Sequence, residues 1–321
     1  MFQKILVPLD GSDRAERAIP IAAHIAHACG GSVILLRVLT HSADMVVSFL
    51  QPPETAEKHV ETLHAQASTY LHAVAVREAL THIPTTLEVA DSMPAQTILS
   101  TARLQAVDLI VMCSHGMTGF KRWALGSVAQ KVAHASDVPV LVLREDGGSS
   151  LPLTPNGTRS MCTLVALDGS PLAETALFPA GGLCAALSAP AQGRLHLTHI
   201  VPLSHQDEQA EEAITRAHAY LCSVAQKFHE GEMAHLHLLV SSSVALGRDV
   251  ADTLIKIAET DTQEQDVRET QPCHMIALAT HGREGADRWI MGSITERVLE
   301  ATRLPTLIVR PQISAGESNG G

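Results

Sequence analysis

The chain has 321 residues, 45% of them hydrophobic and 18% charged, with a mean hydropathy of +0.12. That balance predicts a soluble globular protein of two domains. Against 34 Asp and Glu there are 23 Lys and Arg, a formal net charge of -11, which argues against a duplex nucleic acid or an anionic membrane as partner. Aromatic residues, at 3%, are too few for single-strand stacking platforms, and the scarcity disfavours an all-β sandwich.

The chain opens on MFQKILVPLDGS, which has no signal-peptide pattern, and no apolar run approaches the roughly 20 residues that span a bilayer. ILVPL reads as a short buried strand. Ser12 is the candidate cap of a helix that runs to Cys29 and is stopped by Gly30 and Gly31. A second strand, VILLRV (33–38), leads to a long helix around 54–80 and a third strand, TTLEVA (85–90). A helix over 94–105 precedes the fourth strand, DLIVMCS, and the helix SVAQKVAHA precedes PVLVLR, which closes the unit.

After residue 145 the unit begins again. KILVPLDGSDRAERA at 4–18 returns as CTLVALDGSPLAETA at 162–176, and the 33 residues from Met112 return from Leu278. The reading is one domain over 1–145, a Gly/Ser/Pro-rich linker over 146–160, a second copy over 161–311 and a polar tail over 312–321. In the second copy Ser170 caps a helix with Pro171 at its first position. RLHLTHIV (194–201) and HLHLLVS (235–241) are its second and third strands, with helices at 206–229 and 248–259. HMIALAT and PTLIVR are its fourth and fifth. A longer polar stretch, 258–273, reads as a solvated insertion, with a partner-docking loop as the alternative. Strands alternating with helices and filled with Val, Ile and Leu imply, in each copy, a doubly wound α/β domain with a parallel sheet. The six scattered cysteines carry no metal-finger spacing and read as free thiols of a reducing compartment, the cytoplasm by default.

Ligands of such sheets sit beyond the carboxyl ends of the strands. Asp10 and Asp168 stand there, either as acceptors for ribose or adenine groups or as organisers of the turn. So do Cys113-Ser-His-Gly116, nine residues and Gly126-Ser127, matched by Ala279-Thr-His-Gly282, nine residues and Gly292-Ser293. Gly-Ser opens a helix whose free N–H groups attract phosphate, with the serine hydroxyl as cap and donor. His115 and His281 are read as loop-fixing or phosphate-touching groups in preference to acid-base catalysts. No repeated carboxylate pair, Ser-His-Asp order or Walker loop accompanies them. Lys121 to Trp123 and Asp287 to Trp289 lie inside the nine-residue loops, where a cation can neutralise polyphosphate. The pairs His24 with His27 and His235 with His237 read as surface or satisfied histidines ahead of a metal site.

This pattern resembles the universal stress protein family, whose ATP-binding members carry G-x2-G-x9-G-[ST] after the fourth strand and an Asp after the first. The resemblance covers both copies and implies a Rossmann-like, nucleotide-binding domain with a five-stranded parallel sheet, present twice. It implies ATP, with or without Mg2+, as cofactor, in a stress-response regulatory protein with slow or no turnover, at most a weak ATPase. By position, Pro8, Leu9, Asp10 and Val38 hold adenosine, while Met112, Cys113, Gly116, Gly126, Ser127 and Val128 surround ribose and phosphates. In the second copy the matching residues are Ala166, Leu167, Asp168, Ile200, Leu278, Ala279, Gly282, Gly292, Ser293 and Ile294. Both copies depart from the motif at its first glycine, replaced by Cys113 and Ala279, which leaves a scaffold without ligand as the competing reading. The resemblance further implies that the domains pair through their last strands, with a homodimer of tandem chains as an extension.

Overall fold

The computed structural model describes residues 1–40, 53–115, 125–144, 151, 160–203, 207–259, 272–280 and 291–311, side chains at 53–57 and 207–209 excepted. In the first half, β1 (Lys4–Leu9), α1 (Asp13–Glu16), α2 (Ala18–Cys29), β2 (Ser32–Leu39), α3 (Pro53–Ala75), β3 (Thr85–Asp91), α4 (Pro94–Leu104), β4 (Leu109–Cys113), α5 (Ser127–Ala135) and β5 (Val140–Leu143) follow one another. The second half gives β6 (Cys162–Ala166), α6 (Pro171–Glu174), α7 (Leu177–Ser188), β7 (Arg194–Pro202), α8 (Asp207–Glu230), β8 (Leu239–Gly247), α9 (Val250–Glu259), β9 (Met275–Ala279), α10 (Ser293–Ala301) and β10 (Thr306–Val309).

Among the described residues the strands form one sheet in the order β3-β2-β1-β4-β5-β10-β9-β6-β7-β8. Pairing is parallel within each half, as the apolar, crossover-linked strands require, and antiparallel only where β5 meets β10, with Leu307 opposite Leu141. The carboxyl ends of the two halves' strands therefore point in opposite directions, and their candidate sites open at opposite ends of the strands.

Alternation along each strand sends side chains to two cores, one on each face. Ile5, Val7, Val33, Leu35 and Val111 pack with α2 and, across the junction, with Leu183 and Leu187 of α7. Leu6, Ile34, Leu36, Ile110 and Met112 pack with Ile98 and Val132 on the other face. Each fully buried Leu, Ile or Val stabilises by about 1.5–3 kcal/mol before entropy is counted, so the sheet is the frame that everything else hangs from. The junction carries a reciprocal pair of arginines at its helix ends. Arg144 donates to Thr302 O and Glu300 O at 2.9 and 2.7 Å, and Arg310 donates to Ala135 O at 3.4 Å. Each cation sits where the carbonyl end of the other half's last helix is negative.

Two sequence expectations change, and one residue of the linker stretch packs into a core. The helix expected from Ser12 to Cys29 is broken at Arg17, and its counterpart at Thr175. Pro20 and Pro179 explain both breaks, because each lacks an N–H and crowds the carbonyl four residues back, at Glu16 and Thr175. The third strand of the second half runs over Leu239–Gly247, not 235–241. Its register to β7, from Arg194 opposite Leu239 to Pro202 opposite Gly247, pairs the polar-looking SSSVALG run into the ladder as an edge strand, while 234–236 form a 3-10 turn. Leu151, inside the stretch read as a linker, is 3% exposed and belongs to the first core. Among the described residues no helix is long and apolar enough to cross a membrane.

Candidate functional site

The two halves build the end of their first strand identically. Gly11 and Gly169 both adopt a φ of +83°, a left-handed conformation that glycine reaches without strain. This turn folds Asp10 back so that its Oδ1 accepts from Ser12 N at 3.0 Å and from Ser12 Oγ at 2.6 Å. Asp168 Oδ1 accepts from Ser170 N at 2.9 Å and Ser170 Oγ at 2.6 Å. Each serine hydroxyl in turn accepts from a first-turn amide, Ala15 N or Ala173 N, as the predicted N-cap. The turn-organising role of the two aspartates is thus visible in both halves. Pro8 and Ala166 are half-buried, and Leu9 and Leu167 are buried beneath the turns.

The fourth strands lead to the second part of the site. Gly126 N donates to Ser114 O and Gly292 N to Thr280 O, both at 2.8 Å, so each nine-residue loop leaves and returns at one hydrogen-bonded point. A Cβ on Gly126 would lie 2.7 Å from Ser114 O, and one on Gly292 3.2 Å from Thr280 O. The close backbone approach requires glycine at 126 and leaves little slack at 292, while neither glycine is needed for its φ, -62° and -60°. They are also the N-caps of α5 and α10, with no side-chain cap bond. Ser127 and Ser293 are therefore the first helical residues, which corrects their reading as caps. The first intrahelical bonds are Gln130 N to Gly126 O and Glu296 N to Gly292 O. The amides of 127–129 and 293–295 precede them and have no intrahelical acceptor. Each end concentrates three N–H groups and the positive pole of the helix, the arrangement that binds an anionic oxygen cluster.

The flanking residues are placed as follows. Met112 and Leu278 belong to the core, while Val38 and Val128 are half-buried against it. Ile200 is buried and Ile294 is 42% exposed. Neither Cys113 nor Ala279, at the position of the motif's first glycine, takes a positive φ. Cys113 Sγ donates to Arg14 O at 2.9 Å and Ala279 packs into the same core, so both side chains are engaged on the α1 and α6 side. His115 is buried, with Nδ1 3.1 Å from Ser114 Oγ. Gly116, His281, Gly282 and both Trp-containing segments lie outside the described residues.

One group near the first site was not singled out from the sequence. Arg37, at the end of β2, donates to Leu9 O at 3.3 Å and lies against Gly11, its guanidinium 5.9 Å from the centre of the Tyr70 ring. Tyr70 donates to Glu16 Oε1 at 2.9 Å, and Arg77 holds the other carboxylate oxygen at 2.6 Å. Burial, with the Glu16 hydrogen bond second, pushes the Tyr70 phenol above its ordinary range. In the second half the matching ring pair is His199 with Tyr220, edge to face at 6.1 Å. The signal was present: these are the only two tyrosines of the chain, each in a Tyr-Leu-x-x-Val-Ala stretch, and Arg37 and His199 immediately precede Val38 and Ile200. Among the described residues no group of three or more His, Cys, Asp or Glu is arranged to hold a metal ion.

Comparison with known proteins covers both halves. The model of the universal stress protein family matches residues 1–144 and 163–310. Universal stress protein YxiE of Bacillus subtilis is 30% identical over 148 residues, spanning 45% of this chain and all of the relative. A universal stress protein of Mycolicibacterium smegmatis is 23% identical over 330 residues, covering 96% of this chain and 97% of its own. The crystal structure of a universal stress protein from Archaeoglobus fulgidus superposes with a TM-score of 0.57 at 20% identity, covering 96% and 98% of the two chains.

Proposed function

Since the chain belongs to the universal stress protein family, with the family's domain present in tandem, we propose that it is a regulatory protein that binds an adenine nucleotide, ATP, with slow or no turnover. In this reading 1–145 and 161–311 are the two domains, 146–160 the linker and 312–321 a tail, in a cytoplasmic protein. The observation that carries it is the pair of uncapped helix N-termini at Gly126-Ser127 and Gly292-Ser293, each clamped by backbone to the end of a fourth strand and each followed by a helix of nine residues. Phosphate oxygens satisfy such amides without any lysine or arginine, which suits a chain of net charge -11.

In the first half Pro8, Leu9, Asp10 and Val38 would hold adenosine, and Met112, Cys113, Gly116, Gly126, Ser127 and Val128 ribose and phosphates. In the second half Ala166, Leu167, Asp168 and Ile200 take the first role. Leu278, Ala279, Gly282, Gly292, Ser293 and Ile294 take the second. His115 and His281 steady the loops. Two features support the fit. Cys113 and Ala279 turn their side chains toward α1 and α6, and the close approach at Gly126 leaves no room for a Cβ. Arg37 braces the Asp10 turn through Leu9 O and is a positioning residue. Bound nucleotide would act by shifting the conformation of the protein or its affinity for a partner.

Isothermal titration with ATP tests the proposal on the wild type and on Gly126→Asp and Gly292→Asp, which put a carboxylate at each helix end. The expected result is saturable binding that each variant reduces, with a steady-state hydrolysis rate far below ordinary enzyme values. A wild type that takes up no ATP would overturn it.

A further inference from the structure

The second half holds a pair of thiols that the nucleotide reading does not use. Cys162 opens β6 and Cys273 lies two residues ahead of β9, with their Sγ atoms 3.2 Å apart. Their backbones are pinned. Cys162 O accepts from His274 N at 2.7 Å, Cys162 N donates to His274 Nδ1 at 3.0 Å, and Cys273 N donates to Ala258 O at 3.0 Å. A disulfide bond is about 2.05 Å long, so closing one takes a sulfur movement of roughly 1.1 Å, within the reach of side-chain rotation. The third thiol nearby, Cys184, faces the carbonyls of Arg194 and Met161 at 3.3 and 3.6 Å, and burial pushes it up to about 11.

The first half makes the same backbone clamp without the sulfurs. Asp108, in the place of His274, accepts from Lys4 N, and Lys4 and Val107 stand where Cys162 and Cys273 stand. The clamp therefore does not need thiols at these positions, and the pair is an addition to it.

We propose that Cys162 and Cys273 are an oxidation site, closing to a reversible disulfide when the protein meets a small hydroperoxide. The two sulfurs are unequal. The contact between the two sulfurs, with Arg194 as a further contribution, holds the Cys162 thiol below its ordinary range, whereas Cys273 is pushed up by the same contact and by burial. The Cys162 backbone is held on both its N–H and its C=O by His274, and Arg194 opens the strand paired beside it, so Cys162 is assigned as the nucleophile. Its thiolate attacks one oxygen of hydrogen peroxide, the O–O bond breaks, and Cys162 sulfenic acid forms as the departing hydroxide is protonated to water. Cys273 sulfur then attacks the sulfenic sulfur. The S–S bond forms, and the S–OH oxygen leaves with the Cys273 proton as a second water. Two thiols are oxidised by two electrons and one peroxide is reduced. With Cys162 and Cys273 at 4% and 7% exposure, the pair is shielded from bulky disulfides, so the oxidant proposed is a small one.

The test treats the full chain with hydrogen peroxide, blocks free thiols under denaturing conditions and maps the peptides by mass. The expected result is a single cross-link between the Cys162 and Cys273 peptides, lighter by two hydrogens, with free thiols falling from six to four and returning with dithiothreitol. Cys184→Ser should form the same link, and Cys273→Ser should stop at a sulfenic acid on Cys162 that dimedone traps. Six free thiols after treatment, or a cross-link through Cys184, would overturn the proposal. The wild-type map decides the matter even if a variant fails to fold.

Discussion

The two halves keep one backbone device and brace it differently. Both have a glycine at φ +83° behind the aspartate, a serine that relays between that aspartate and a helix amide, and an uncapped Gly-Ser helix start. Around this the first half uses charge, with Arg37, Tyr70, Glu16 and Arg77 in contact, and the second an edge-on His199–Tyr220 pair. In the sheet, His196 between Ser241 and Ser243 replaces Ile34. The lesson is that what fixes the backbone is shared between the copies, while the side chains that support it have diverged.

The comparison can be broken most strongly at the glycines. Gly126→Ala forces a Cβ to 2.7 Å from Ser114 O, an overpacking that should cost about 1–3 kcal/mol in urea unfolding. Gly292→Ala, at 3.2 Å, should cost less. Equal losses would mean that the two loop closures are not held as differently as the geometry indicates. Next in size, Tyr70→Phe removes a hydrogen bond to the Glu16 carboxylate and should destabilise by about 1–2 kcal/mol. An unchanged midpoint would show that the charged brace contributes nothing. Arg77→Ala should do less, since Arg77 is 48% exposed and its ion pair is screened.

The smallest effect is a pH slope. Burial lowers the His196 pKa in the folded protein, with Arg194 adding to it, and burial likewise lowers that of His24. Below an unfolded value of about 6.5 the unfolded chain binds protons that the native state does not. Stability is therefore full above that pH and falls as pH drops toward the folded values. His196→Ile, which copies the first half, should flatten part of this slope in melting curves taken across that range. An unaltered slope would remove His196 from the account.

Much of this is legible in the sequence alone. The apolar strands, the Ser12 and Ser170 caps and both nine-residue helices follow from short-range patterns, and the repeat tells which of those patterns matter. The break at Arg17 was also written in the chain, in Pro20 four residues past Glu16, but a continuous helical composition masked it. The sequence places β8 too early because Ser242 and Ser243 look like loop, and only their ladder to β7 makes them strand. The direction of Cys113 was illegible, because it depends on α1 lying across the end of β4, a tertiary fact. The Arg37 brace needs the same kind of information, since it joins Arg37 to Leu9, 28 positions away, and to the Tyr70 ring.

The central claim is that the amides opening α5 and α10 receive a phosphate. Hydrogen exchange of the peptides that contain 127–129 and 293–295, with and without saturating ATP, tests it most directly. The result expected is slowed exchange at these first turns on both sites when ATP saturates them. Exchange at 127–129 and 293–295 that ATP leaves unaltered would contradict it.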